Sequence, residues 1–185
     1  MTGTDLGTPV AYMISGKVGS GKTTYAMRLA ENTRAPVFSI DAWMAALFSA
    51  DIPASGKGIP IDFAWYAERV DRCEVMIWEL CKQQIMQGRS VVLDLGFLRR
   101  ARRKKFIDWA AAVGADIQVH FLDVDVEIRR ERVAARNRHR AGTFSFAVTD
   151  EMFDFAETLF EPLDASEMDQ VTVTTPEASS LESLA

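Results

Sequence analysis

Thiol and imidazole are scarce, with two cysteines and two histidines in 185 residues. Cys73 and Cys81 fall on one predicted helix. At about 1.5 Å of rise per residue they stand roughly 12 Å apart, beyond disulfide reach. His120 and His139 are too far from them in sequence to complete a zinc-type cluster. Free thiols in a reducing, cytoplasmic setting are the expectation. No apolar run approaches the roughly 18 residues of a membrane span, and no signal-peptide pattern opens the chain. Composition is that of an ordinary globular protein, 48% apolar and 25% charged. The length suits one domain, expected over 9–175, with a disordered lead-in at 1–8 and an acidic flexible tail at 176–185. Net charge is −5 but unevenly spread: residues 99–140 carry +6, whereas 148–185 hold ten acids and no Lys or Arg. A basic middle on an acidic chain points to a focused anion site rather than a general nucleic-acid surface.

The stretch Gly16-Lys17-Val18-Gly19-Ser20-Gly21-Lys22-Thr23 has the Gly-x4-Gly-Lys-[Ser/Thr] spacing of a phosphate-binding P-loop. Its glycines allow a tight turn whose N–H groups point inward at phosphate oxygens. Lys22 supplies positive charge for β- and γ-phosphates, and the Thr23 hydroxyl suits Mg²⁺. The apolar run Val10–Ile14 before the loop predicts a buried strand, and Tyr25–Ala30 after it continues a helix whose positive end faces the anion. Gly16 through Thr24 are the expected nucleotide contacts.

Further strands are predicted at Pro36–Ile40, Ser90–Asp94, Asp116–Leu122 and, weakly, Gln170–Thr174. Helices are expected at 42–48, 62–87 with Asp62 as N-cap, 100–113, 126–138 and 149–160. Residues 51–60 and the turn around 140–143 are expected as loops. Alternating strands and helices predict a parallel sheet covered on both faces, with ligands at the carboxyl ends of the strands. Ser15-Gly16, Asp41 and Asp94 all fall at such ends.

Asp94 closes an apolar strand, where an acid can hold Mg²⁺ directly or through water; a turn-capping role is the alternative. Asp41 either caps the helix after it or orients an acceptor hydroxyl and takes its proton. Arg129, Arg132, Arg136 and Arg140 recur at helical spacing. Glu127 and Glu131 could neutralise some of them. The stronger expectation is a lid in which Arg132, Arg136 and Arg140, with Arg138 in reserve, close over the transferring phosphate. The run from Arg99 to Lys105 opposes a helix dipole at its start. It either receives a polyanionic acceptor or is a solvated face balanced by the acidic C-terminal third. Trp43, Phe48, Phe63, Trp65 and Tyr66 flank the expected acceptor side, mostly as core.

Together these residues resemble the small P-loop kinases of the AAA-like group, whose relatives include polynucleotide 5′-hydroxyl kinase domains, chloramphenicol phosphotransferase and zeta toxins. The resemblance spans roughly Val10 to Thr174. It is carried by Gly16–Thr24, Asp41, Val91–Asp94, Glu131–Asn137 leading to Arg140, Phe146–Met152 and Phe160–Pro162. It implies a nucleoside-kinase-like α/β P-loop NTPase fold, a three-layer sandwich with a five-stranded parallel sheet and an Arg-rich helical lid. It also implies Mg·ATP, with Asp41 as acceptor-activating acid and Arg136 and Arg140 as lid arginines. Lys17 departs from the small residue common at its position and adds a candidate phosphate contact. The expected reaction is γ-phosphoryl transfer to a hydroxyl acceptor, a small molecule. A nucleic-acid 5′-hydroxyl kinase and a nucleotide-dependent switch are the alternatives. Group members differ in acceptor, so the resemblance leaves that partner open.

Overall fold

The computed structural model describes residues 7–51, 63–139, 147–167 and 171–174. Five strands, β1 (Val10–Gly16), β2 (Val37–Ser39), β3 (Val91–Gly96), β4 (Asp116–Leu122) and β5 (Val171–Thr174), form one sheet in the order β2-β3-β1-β4-β5. Every neighbouring pair is parallel. Six helices connect them: α1 (Lys22–Thr33), α2 (Ile40–Phe48), α3 (Phe63–Met86), α4 (Arg100–Ala112), α5 (Val126–His139) and α6 (Asp150–Leu159). The central strands β1 and β3 are buried on both sides because both faces are covered. Met13, Val91, Leu93 and Val119 face a core with Met44, Ile77, Cys81 and Phe106 from α2, α3 and α4. The neighbouring residues Ile14, Val92 and Leu122 face Ala26 and Leu29 of α1. This is the three-layer α/β fold with a five-stranded parallel sheet that the sequence predicts. Among the described residues no helix is long and apolar enough to cross a membrane.

Two boundaries differ from expectation in ways that matter. Strand β3 does not stop at Asp94 but runs on through Leu95 to Gly96. Gly96 and Phe97 then both take positive φ, 82° and 47°, to turn the chain. Asp94 is therefore a buried strand residue, 5% exposed, and not a turn cap. Helix α2 begins at Ile40, with Ser39 as N-cap, so Asp41 sits inside the first turn. A carboxylate there is favoured by the helix dipole without serving as the cap. The expected N-cap Asp62, the loop residues 52–60, the turn with Arg140 and the two terminal segments 1–6 and 176–185 lie outside the described residues.

Candidate active site

The order β3-β1-β4 places the glycine loop at the centre of the carboxyl edge, between the ends of β3 and β4. Gly21 caps α1 with φ 91° and no side-chain hydrogen bond, a left-handed conformation that glycine adopts freely. The first-turn amides of α1, beginning at Lys22, Thr23 and Thr24, lack intrahelical carbonyl partners and form an anion-binding helix end. Within the loop, Ser20 N donates to Lys17 O at 3.2 Å and Lys22 Nζ donates to the same oxygen at 2.9 Å. The Ser20 hydroxyl is wholly buried and has no partner. A buried donor left open inside a glycine loop fits a cradle that a phosphate oxygen completes. Tyr25 fastens α1 to β4 through a 2.8 Å bond between its hydroxyl and His120 Nδ1.

Beside the loop, Thr23 Oγ1 donates to Asp94 Oδ2 at 2.7 Å, and Ser39 Oγ approaches the same oxygen at 3.4 Å. The pair is a hard-oxygen donor set of the kind Mg²⁺ takes alongside water and phosphate oxygens. No group of three or more His, Cys, Asp and Glu suited to a metal occurs among the described residues. Any cation here would thus draw most of its shell from water and substrate.

Asp41 lies within electrostatic reach of Asp94, Lys22 and Arg136. Burial, reinforced by the Asp94 charge, pushes its carboxyl up, against the pull of Lys22 and Arg136. Lys22 is pushed down by desolvation while Asp94 and Asp41 act to raise it. Two carboxylates and two cations from β2–α2, β3, α1 and α5 therefore share one site. Tyr66 of α3 belongs to the same neighbourhood. Its hydroxyl is pushed up, first by burial and then by the Asp41 charge.

The arginines of α5 divide into two kinds. Arg129, 2% exposed, is an internal clamp paired with Glu157 of α6. Arg130 pairs with Asp154. Arg132 and Arg136 are half-buried, and Arg132 Nη1 and Arg136 Nε are buried without a hydrogen-bond partner among the described residues. Arg136 acts on both Lys22 and Asp41. Burial alone pushes Arg132 down. Arg138 is exposed, and Arg140 lies outside the described residues. The carboxylates hydrogen-bonded to this helix's arginines come from α6, while the exposed Glu127 acts on Arg130 through its charge.

Lys17 stands apart from the other loop residues. Its ammonium meets Glu157 Oε2 at 3.0 Å and lies over the Phe160 ring, so it faces α6. Glu157 was not legible as a functional residue. Nothing local marks it among the ten acids of the C-terminal third.

The basic run is mostly paired with acids of the chain, at the surface except at Arg103. Arg103 is fully buried and binds Glu167 with Nε to Oε1 at 2.6 Å and Nη2 to Oε2 at 3.0 Å. It also donates to the carbonyls of Phe97, Leu98, Glu161 and Pro162. Arg100 pairs with Asp164, Arg102 with Asp71 and Glu74, Lys104 with Asp108, and Lys105 with Glu74. Cations already paired with carboxylates present less net positive charge to a polyanion. Of the two expectations for this run, a solvated face balanced by the acidic C-terminal third fits in part: Asp164 and Glu167 belong to that third, whereas Asp71, Glu74 and Asp108 do not. Arg103 goes beyond it, being core.

The sequence matches the AAA domain family over residues 12–163. No curated protein matches it significantly. Among solved structures, a protein of Chloroflexus aurantiacus j-10-fl superposes with TM-score 0.71 at 16% identity, covering 95% of this chain and 92% of its own. A sugar kinase from Janibacter sp. HTCC2649 gives 0.62 at 20% identity, with 91% and 86% covered. Kti12 of Chaetomium thermophilum, solved with ADP-AlF3, gives 0.66 at 14% identity, with 95% of each chain covered. At such identities the likeness is one of fold, that of small P-loop kinase-like proteins.

Proposed function

The chain belongs to the AAA domain family that it matches over residues 12–163, and from that premise we propose that it is a Mg·ATP-dependent phosphotransferase acting on a hydroxyl group of a small molecule. One observation carries the reading: Thr23 Oγ1 and Ser39 Oγ meet Asp94 Oδ2 at 2.7 and 3.4 Å, which brings Asp41, two residues beyond Ser39, to the same edge as Lys22, where both feel the charges of Asp94 and Arg136. A nucleotide switch needs the loop and the metal acid but no second carboxylate in that position. A kinase needs one to orient the acceptor.

The loop amides from Gly16 to Thr24, with Lys22, would hold the β- and γ-phosphates. Thr23 and Asp94 would hold Mg²⁺, which supplies charge neutralisation across the phosphate oxygens. Asp41 accepts the proton of the acceptor hydroxyl as its oxygen attacks the γ-phosphorus and the bond to the β–γ bridging oxygen breaks. Phosphorylated acceptor and ADP are the products. Burial and the Asp94 charge raise the basicity of Asp41 and suit it to that proton, while Lys22 and Arg136 act to favour its ionised form. Arg132 and Arg136 would offset charge on the transferring group through their open N–H donors, and Arg140, outside the described residues, is proposed for the same role. Positioning and electrostatics supply the acceleration, since the protein forms no covalent bond.

ATP consumption measured with Mg²⁺ across nucleosides, sugars, aminoglycosides, phenicols and 5′-hydroxyl oligonucleotides tests the reading. Stimulation by one small-molecule class is expected, lost in Asp41→Asn while nucleotide binding is retained, and lost with binding in Lys22→Ala. Full turnover in Asp41→Asn would remove the assigned base. Stimulation by oligonucleotides alone would replace the small-molecule acceptor with a nucleic-acid end.

A further inference from the structure

Glu157 lies 140 positions beyond Lys17 in sequence, yet its carboxylate joins the glycine loop to two helices. Oε2 accepts from Lys17 Nζ and from Arg129 Nη2, both at 3.0 Å, and Oε1 accepts from Arg129 Nη1 at 2.6 Å. Arg129 carries the connection onward. Its Nε donates to Val124 O at 2.9 Å and its Nη1 to Val18 O at 3.2 Å. The main chain of the same arginine packs beneath Gly19, where an added Cβ would lie 2.6 Å from Arg129 O. Three consecutive loop residues, Lys17, Val18 and Gly19, are thus held by side chain, carbonyl and close packing respectively. All three attachments run through Arg129 or Glu157.

A glycine-rich loop is expensive to order, because glycine gives up the most conformational freedom. The loop's own bonds, from Ser20 N and Lys22 Nζ, converge on the single carbonyl of Lys17. The Lys17 side chain, the Val18 carbonyl and Gly19 are instead held from outside the loop. We infer that Glu157 is a positioning residue for nucleotide binding, which pre-shapes the first half of the phosphate loop through Lys17 and Arg129 without touching the nucleotide. The inference rests on the nucleotide-binding part of the reading above.

The opposite account has the opposite sign. A carboxylate near a phosphate site repels it, so on Coulomb grounds alone removing Glu157 would tighten nucleotide binding. A Lys17 that served only as a direct phosphate contact would act independently of Glu157, and the two losses would add.

Calorimetric titration of Mg·ADP into the full chain separates these, using Glu157→Gln, Lys17→Met and the double variant. Glu157→Gln is expected to weaken binding about tenfold. Lys17→Met is expected to weaken it less, and the double variant to be no weaker than Glu157→Gln. Thermal melting of the unliganded proteins, run alongside, separates positioning from general loss of stability, which would leave the nucleotide effects additive. Glu157→Asp keeps the charge but is too short to reach both cations, so it too should weaken binding; it serves if Glu157→Gln does not fold. Tighter binding by Glu157→Gln, wild-type affinity in either Glu157 variant, or additive losses would overturn the inference. Absence of Mg·ADP binding by the wild-type protein would instead overturn the nucleotide reading beneath it.

Discussion

Thr23 and Asp94, 71 residues apart, are joined by a 2.7 Å hydrogen bond from the threonine hydroxyl to Oδ2. The bond exists because β1 and β3 are parallel neighbours, with Met13 opposite Leu93. The loop leaving one strand therefore meets the acid on the other. Without a cation the hydroxyl satisfies the buried carboxylate; with one, both oxygens can turn to it. Thr23→Val keeps the shape and removes the oxygen. It is expected to abolish the gain in ADP affinity that Mg²⁺ gives, a loss of at least about tenfold, while leaving affinity in EDTA unchanged. Titrations with and without Mg²⁺ check this, and an intact Mg²⁺ effect in Thr23→Val would displace the metal from this pair.

Gly19 and Gly21 offer a matched comparison. Both have positive φ, 79° and 91°, so alanine costs each about 1–2 kcal/mol of backbone strain. Only at Gly19 does the added Cβ collide, 2.6 Å from Arg129 O and 3.1 Å from both Arg129 Cβ and Val133 Cγ2; at Gly21 nothing lies within 4 Å. Gly19→Ala must push the loop off α5. It should lose nucleotide affinity by at least about tenfold more than Gly21→Ala does. Equal losses in calorimetry would show that contact with α5 does not shape the loop.

Arg103 turns a surface-looking sequence feature into a structural test. Its guanidinium is fully buried among Glu167 and four backbone carbonyls, and it fixes the segment after α6 to the start of α4. Arg103→Met leaves Glu167 and those carbonyls without their donor. The expected cost is about 3–5 kcal/mol, as for a broken buried ion pair. Lys104→Met, whose partner Asp108 is exposed, should cost about 1 kcal/mol or less. Chemical denaturation of the two variants checks the contrast.

These cases show where reading along the chain succeeds and where it stops. The sheet was legible because each inner strand is an apolar run covered on both faces, and parallel strands put their functional residues at one edge. Asp94 and the glycine loop carry local signatures, and Asp41 follows from the strand before it. Arg103 has no such signature. It looks like one more cation in a charged run, because the carboxylate that buries it lies 64 positions away. Glu157 is the same problem from the acidic side. Its meaning lies in α6 docking against α5 and the loop, a tertiary event that no helical period records.

Acid should undo the Arg103 pairing in a defined way. Hydrogen bonds from Arg103 outweigh burial and hold the Glu167 carboxyl below its ordinary value of 4.5. A carboxyl lowered in the folded state contributes stability that is complete above the unfolded value and drains away as pH falls through the folded one. Once protonated, Glu167 resembles glutamine in shape and charge. The gap in melting temperature between wild type and Glu167→Gln should therefore be constant near neutrality, begin to close below about pH 4.5, and vanish once the folded carboxyl has taken its proton. Asp41 and Glu74, pushed up chiefly by burial, slope the other way in both proteins and cancel in the difference. A gap that persists unchanged into strong acid would mean that Glu167 stabilises the fold through shape and hydrogen bonding rather than through its charge.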